Sequence, residues 1–116
     1  MKFPKAMLLL LAATPHGVYA ADWKPLSGTY AVTAEHYLDP SPEEPTNSHF
    51  RLQLTGSAAK DLYLAIPGNP SLDECTGAQA KSSGELECLY FKDGAKYECA
   101  FSLDLIEHKV EYGVAC

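Results

Sequence analysis

Four cysteines narrow what this chain folds into more than any other feature. Cys75, Cys88, Cys99 and Cys116 all fall late in the sequence, and the last three sit in runs where every second residue is apolar. Alternation of that kind marks a half-buried strand. The spacings of 13, 11 and 17 residues contain no close Cys-x-x-Cys pair, so the even count reads as two disulfides rather than a zinc site.

Disulfides belong to exported proteins, and the N-terminus agrees. Lys2 and Lys5 precede an unbroken apolar run over residues 6–13, and Pro15 and Gly17 interrupt it. Val18-Tyr19-Ala20 then offers small residues where a signal peptidase cuts. The run is far short of the roughly 20 residues that a membrane span requires. The expected organisation is a cleavable signal over residues 1–20 and one disulfide-stapled domain over 21–116, periplasmic or secreted.

Cleavage removes two lysines and no acid, which takes the formal charge from −6 to −8. That sign opposes binding to nucleic acid or to anionic lipid. It suits a basic protein partner, although solubility alone also favours a net charge.

Residues 28–38 alternate with Tyr30, Val32 and Ala34 on one side, and Phe50, Leu52 and Leu54 repeat the pattern. Between them, residues 39–47 hold three prolines and three acids and form an exposed loop. At residues 58–66 the period changes: Ala59, Leu62, Tyr63 and Ile66 share one helical face. Thr55 or Ser57 caps this helix and Pro67-Gly68 stops it. Residues 69–84 read as a long polar connection, tied down by Cys75.

Three strands follow, around residues 86–90, 97–105 and 110–116. Asp93-Gly94 and Glu107-His108 are the expected two-residue turns between them. These turns place Cys88 opposite Cys99, Cys99 opposite Cys116, and Asp104 opposite Glu111. Counting hydrogen-bonded and non-hydrogen-bonded pairs outward from the turns favours the bridges Cys99–Cys116 and Cys75–Cys88. The fold class is therefore α+β, a single helix packed on a mostly antiparallel sheet of about five strands in the order β-β-α-β-β-β, with two disulfides. A closed all-β barrel is the alternative, and the helix counts against it.

Motifs for chemistry are sparse. Ser57-Ala58-Ala59-Lys60 matches the Ser-x-x-Lys of penicillin-recognising enzymes, but four letters recur by chance and the chain is too small for that fold. His36 and His49 become neighbours if their strands pair, yet no third ligand is fixed. His108 sits in a turn. The acids at 39–44 lack the glycine and terminal glutamate of a calcium loop. No catalytic residue, metal or other cofactor is expected.

The candidate partner face is the solvent side of the last three strands. There Glu87, Glu98, Asp104 and Glu111 rim a patch that contains Leu89 and Phe91. The expected function is an exported, non-enzymatic protein-binding domain, most concretely an inhibitor or immunity-type protein against a basic cell-envelope hydrolase such as lysozyme. The alternatives are a structural or accessory envelope protein, or a small ligand-binding, metal-binding or hydrolytic domain built on His36 and His49.

N-terminal sequencing of the protein from an envelope fraction is expected to begin at Ala21. A start at Met1 overturns the signal reading.

Overall fold

The structure is a computed structural model that describes residues 21–113. The expected signal segment and Cys116 lie outside the described residues. Within them, one helix lies on one antiparallel sheet. Strands β1 (Gly28–Thr33) and β2 (His49–Thr55) come first, then helix α1 (Gly56–Ala65). Strands β3 (Ser71–Leu72), β4 (Gln79–Ser83), β5 (Leu86–Phe91), β6 (Lys96–Asp104) and β7 (Lys109–Tyr112) complete the order.

The sheet runs β1-β2-β6-β5-β4-β3, with β7 paired to β6. β6 is therefore the central strand. Along one edge it meets β2 from Glu98 to Asp104; along the other it meets β5 with its first half and β7 with its second.

The connection expected to be polar loop carries two strands instead. β4 pairs with β5 through Ala80↔Leu89, and the two-residue β3 closes the edge. β4 reads as loop because Gln79, Lys81, Ser82 and Ser83 surround its single buried residue, Ala80. Its strand form comes from the open edge of β5, not from its own side chains.

α1 follows β2 without a linker. Gly56 makes the corner with φ +58°, a left-handed conformation that glycine adopts without penalty. Thr55 occupies the N-cap position but makes no side-chain cap bond. The helix ends just before Pro67-Gly68. There Lys81 Nζ reaches the carbonyls of Tyr63 and Ile66 at 3.4 and 3.2 Å, placing a cation against the negative end of the helix.

Ala59, Tyr63 and Ile66 pack on Leu54, Cys88 and Cys99 to form the main core. Tyr63 also meets Tyr97 and Tyr90, with ring centroids 5.3 and 6.2 Å apart. Replacing so buried an aromatic by alanine costs about 3–5 kcal/mol. On the other side of the sheet, Ala78, Ala80 and Leu89 make a smaller core with Phe91 against it.

Both hairpin turns differ from the two-residue form expected of them. The β5–β6 loop spans residues 92–95 and is closed by Phe91↔Lys96. Its left-handed residues are Gly94 and Ala95, not Asp93 and Gly94. The strand partners are unchanged, with Cys88 opposite Cys99, but a four-residue loop shifts the alternation of hydrogen-bonded pairs by one. The cysteines then fall at the close, non-hydrogen-bonded type of site. Their Cα atoms are 4.0 Å apart and the two are joined in a disulfide.

This replaces both expected bridges, Cys99–Cys116 and Cys75–Cys88. Among the described residues one disulfide is seen, Cys88–Cys99. With that bond made, the only pairing left to the other cysteines is Cys75 with Cys116.

In the β6–β7 loop the register itself moves by two. Leu103 faces Val110, Asp104 faces Lys109, and Ser102 rather than Asp104 faces Glu111. A shift of two keeps every side chain on its expected face. Just after β7, Gly113 passes against β6, where a Cβ would overlap the backbone of Ala100 and Phe101.

Non-reducing peptide mapping is expected to recover Cys88–Cys99. Replacing both by serine is expected to cost about 3 kcal/mol in urea unfolding, on the loop-entropy account of a short closed loop. Recovery of Cys99–Cys116 contradicts the register.

Candidate functional site

Row by row, β1, β2, β6 and β7 end together: Thr33 faces His49, His49 faces Asp104, and Asp104 faces Lys109. This end of the sheet carries a buried histidine with an unpartnered ring nitrogen. The His49 side chain is only 3% exposed. Its Nδ1 lies 2.7 Å from Ser48 Oγ. Its Nε2 lies 3.3 Å from Glu111 Oε2 and 3.6 Å from Asp104 Oδ2, yet it is buried without a hydrogen-bond partner. One ligand atom from each of His49, Asp104 and Glu111 falls within 4.8 Å of the others.

Each carboxylate is held. Asp104 Oδ1 accepts the backbone N–H groups of Ile106 and Glu107, both at 2.9 Å. Those bonds, Glu107's foremost, with the nearby His49 adding to them, keep its carboxyl below the usual carboxylate range against the opposing effect of burial. They also leave Oδ2 turned to the imidazole. Glu111 Oε1 lies 3.7 Å from Lys109 Nζ, which sits 2.8 Å from Glu107 and has its own pKa raised by that contact. Glu111 thus presents Oε2 to His49 and remains 29% exposed, on the side toward solvent.

Ser48, His49 and the acids stand in the order of a serine–histidine–acid triad, but with the ring nitrogens exchanged. In a triad the serine meets Nε2 and the acid orients Nδ1. Here the serine is at Nδ1, and Ser48 is itself buried, which leaves no room for an acyl substrate at its Oγ.

His36 and His49 belong to separate clusters. His36 Nδ1 lies 2.8 Å from Glu44, in a surface group with Glu35. Hydrogen bonding to Glu44 raises the His36 pKa and lowers that of Glu44. Arg51 braces the same segment: Nε donates to Thr33, one Nη donates to the carbonyls of Ala34 and Glu35, and the guanidinium lies over the Tyr37 ring. Ser57 and Lys60 are exposed on the first turns of α1, edging an open depression of about 500 Å³.

The residues expected to form a partner face are largely covered. Glu87, Leu89 and Asp104 are buried, and Phe91, Glu98 and Glu111 are half-buried. Leu89 packs with Ala78 and Ala80, with Phe91 against them, and the Tyr112 hydroxyl donates to Glu87. Loss of solvent around that phenol, then its bond to Glu87, pushes the Tyr112 pKa up to about 12. The six do not make a flat open patch.

The side of the sheet that carries α1 is open beyond the helix. Val32, Phe50, Leu103 and Val110 form one continuous row across four strands. Tyr30 stacks on Phe50 at 5.6 Å. Tyr30 is 72% exposed, Val32 50% and Val110 49%, with Leu105 and Ile106 also exposed in the adjoining loop.

Comparison with protein-family models, with curated proteins and with solved structures finds no match to this chain. Among the described residues no helix is long and apolar enough to cross a membrane.

Asp104→Asn tests the turn that positions this cluster. A carboxyl with a lowered folded-state pKa contributes stability above its ordinary pKa of about 3.9 and loses that contribution as pH falls through the folded value. The variant is expected to be less stable than wild type at pH 7 and to approach it by pH 2–3. A difference in urea midpoint that does not change with pH contradicts this.

Proposed function

We propose that this is an exported, non-catalytic protein-binding domain of the inhibitor or immunity type, directed at a basic cell-envelope hydrolase such as a lysozyme. The observation that carries the reading is the open apolar row across β1, β2, β6 and β7. Exposed Tyr30 and Val32 stand beside half-buried Phe50 and Leu103 on a rigid sheet. Contiguous apolar surface of this kind on a small domain marks a place for a partner. Aromatic anchors on a stiff scaffold supply contact at low entropy cost.

Charge favours a basic occupant. Glu35, Asp39, Glu43 and Glu44 lie in the β1–β2 loop at the same end of the sheet, and Glu107 lies in the β6–β7 loop at that end. Arg51 and Lys109 are the cations there, and both are engaged. Acids around an apolar centre speed encounter with a positive surface and select for it. This surface takes the place of the covered face that holds Leu89 and Phe91.

Immobilised protein is expected to capture a basic hydrolase from periplasmic extract in stoichiometric amount and to inhibit it. Val32→Lys places a cation on an exposed edge strand and is expected to abolish capture with the fold intact. Glu43→Lys with Glu107→Lys is expected to slow association and flatten its salt dependence. Capture that survives Val32→Lys, or the absence of any basic protein bound at low salt, sinks the proposal.

A further inference from the structure

His49, Asp104 and Glu111 lie on three different strands, and the imidazole nitrogen between the carboxylates makes no hydrogen bond although it is buried. An unmade bond at a buried polar atom is costly, so the arrangement calls for an occupant. We infer that the three side chains form a binding site for a first-row divalent cation of the zinc type, which bridges β2, β6 and β7.

The distances fit coordination better than hydrogen bonding. A tetrahedral ion with nitrogen and oxygen bonds of 2.0–2.1 Å holds its ligand atoms about 3.3–3.4 Å apart. Nε2 lies 3.3 and 3.6 Å from the two carboxylate oxygens, beyond the usual 2.7–3.2 Å of an N–H···O bond.

The outer contacts also suit a metal. Ser48 Oγ at 2.7 Å from Nδ1 accepts the ring proton in the tautomer that leaves the Nε2 lone pair free. Two backbone N–H groups fix Asp104 Oδ1 and leave Oδ2 inward. Oriented first ligands with satisfied second contacts are the construction metal sites use. One imidazole and two carboxylates suit zinc-like ions, whereas calcium and magnesium prefer oxygen alone. Glu111, 29% exposed, marks the side of entry and leaves room for water as a further ligand.

The surface group of Glu35, His36 and Glu44 is a control, since His36 already makes its bond to Glu44. This inference is independent of the proposed protein partner.

The test is calorimetric titration of Zn²⁺ into the oxidised protein after removal of bound metal with a chelator, with Ca²⁺ run in parallel. The expected result is saturation by Zn²⁺ at one equivalent, little response to Ca²⁺, and a higher thermal midpoint with zinc. Ser48→Ala is expected to weaken zinc binding by about 10–100-fold, and His49→Gln to abolish it. Because His49 is buried, Glu111→Gln at the exposed side provides a variant that keeps the fold; it is expected to weaken binding by more than about tenfold and to remove the thermal shift. His36→Ala is expected to change neither. Folded wild-type protein with no saturable zinc site overturns the inference, as does binding that is unaffected by Glu111→Gln or lost with His36→Ala.

Discussion

The carboxylate of Asp104 is the interaction on which this end of the molecule depends. One oxygen gathers the N–H groups of Ile106 and Glu107, which curls the chain after β6 into a four-residue loop of the kind aspartate side chains favour. His108 completes the loop in a left-handed conformation with φ +58°. That loop, and not a two-residue turn, sets the β6–β7 register. With Ser102 opposite Glu111, the glutamate reaches diagonally across β6 to His49 on the strand beyond. The other oxygen of Asp104 faces the same imidazole. A single side chain therefore builds the turn and one wall of the cluster.

The rest of the fold is organised around the strand that ends in this residue. β6 is central because β2 takes one edge while β5 and β7 divide the other. α1 covers the first half of β6, where Cys99 is bonded to Cys88, and leaves the second half open. The core and the covalent staple sit at one end, and the acidic cluster with the bare apolar row sits at the other. This division lets one small domain spend its hydrophobic residues on stability at one end and expose them at the other.

Much of this was legible in the residues. The period change at Ala59, Leu62, Tyr63 and Ile66 located the helix, and Pro67-Gly68 located its end. Alternation found five of the strands and paired Cys88 with Cys99 across β5 and β6. The errors in the turns and the disulfide share one cause: alternation specifies faces and does not fix loop length. Loops of four residues instead of two changed the hydrogen-bonding phase at Cys88 and Cys99, and with it the choice of disulfide. They also moved Glu111 by two positions while keeping its face, so its nearness to Asp104 survived a change of opposite partner. β4 was hidden because its mostly polar side chains carry no apolar alternation. His49 was noticed beside His36, but its true neighbours come from strands far along the chain. The acids that surround it were visible as a like-charged pair; the histidine between them was not.

The register between β6 and β7 is therefore the point on which the site stands, and cross-strand nuclear Overhauser effects between backbone protons report it directly. Isotope-labelled oxidised protein is expected to show contacts that pair Leu103 with Val110 and Phe101 with Tyr112. Contacts that pair Leu103 with Tyr112 and Leu105 with Val110 would mean a two-residue turn, would place Asp104 opposite Glu111, and would contradict the assembly of the His49 cluster described above.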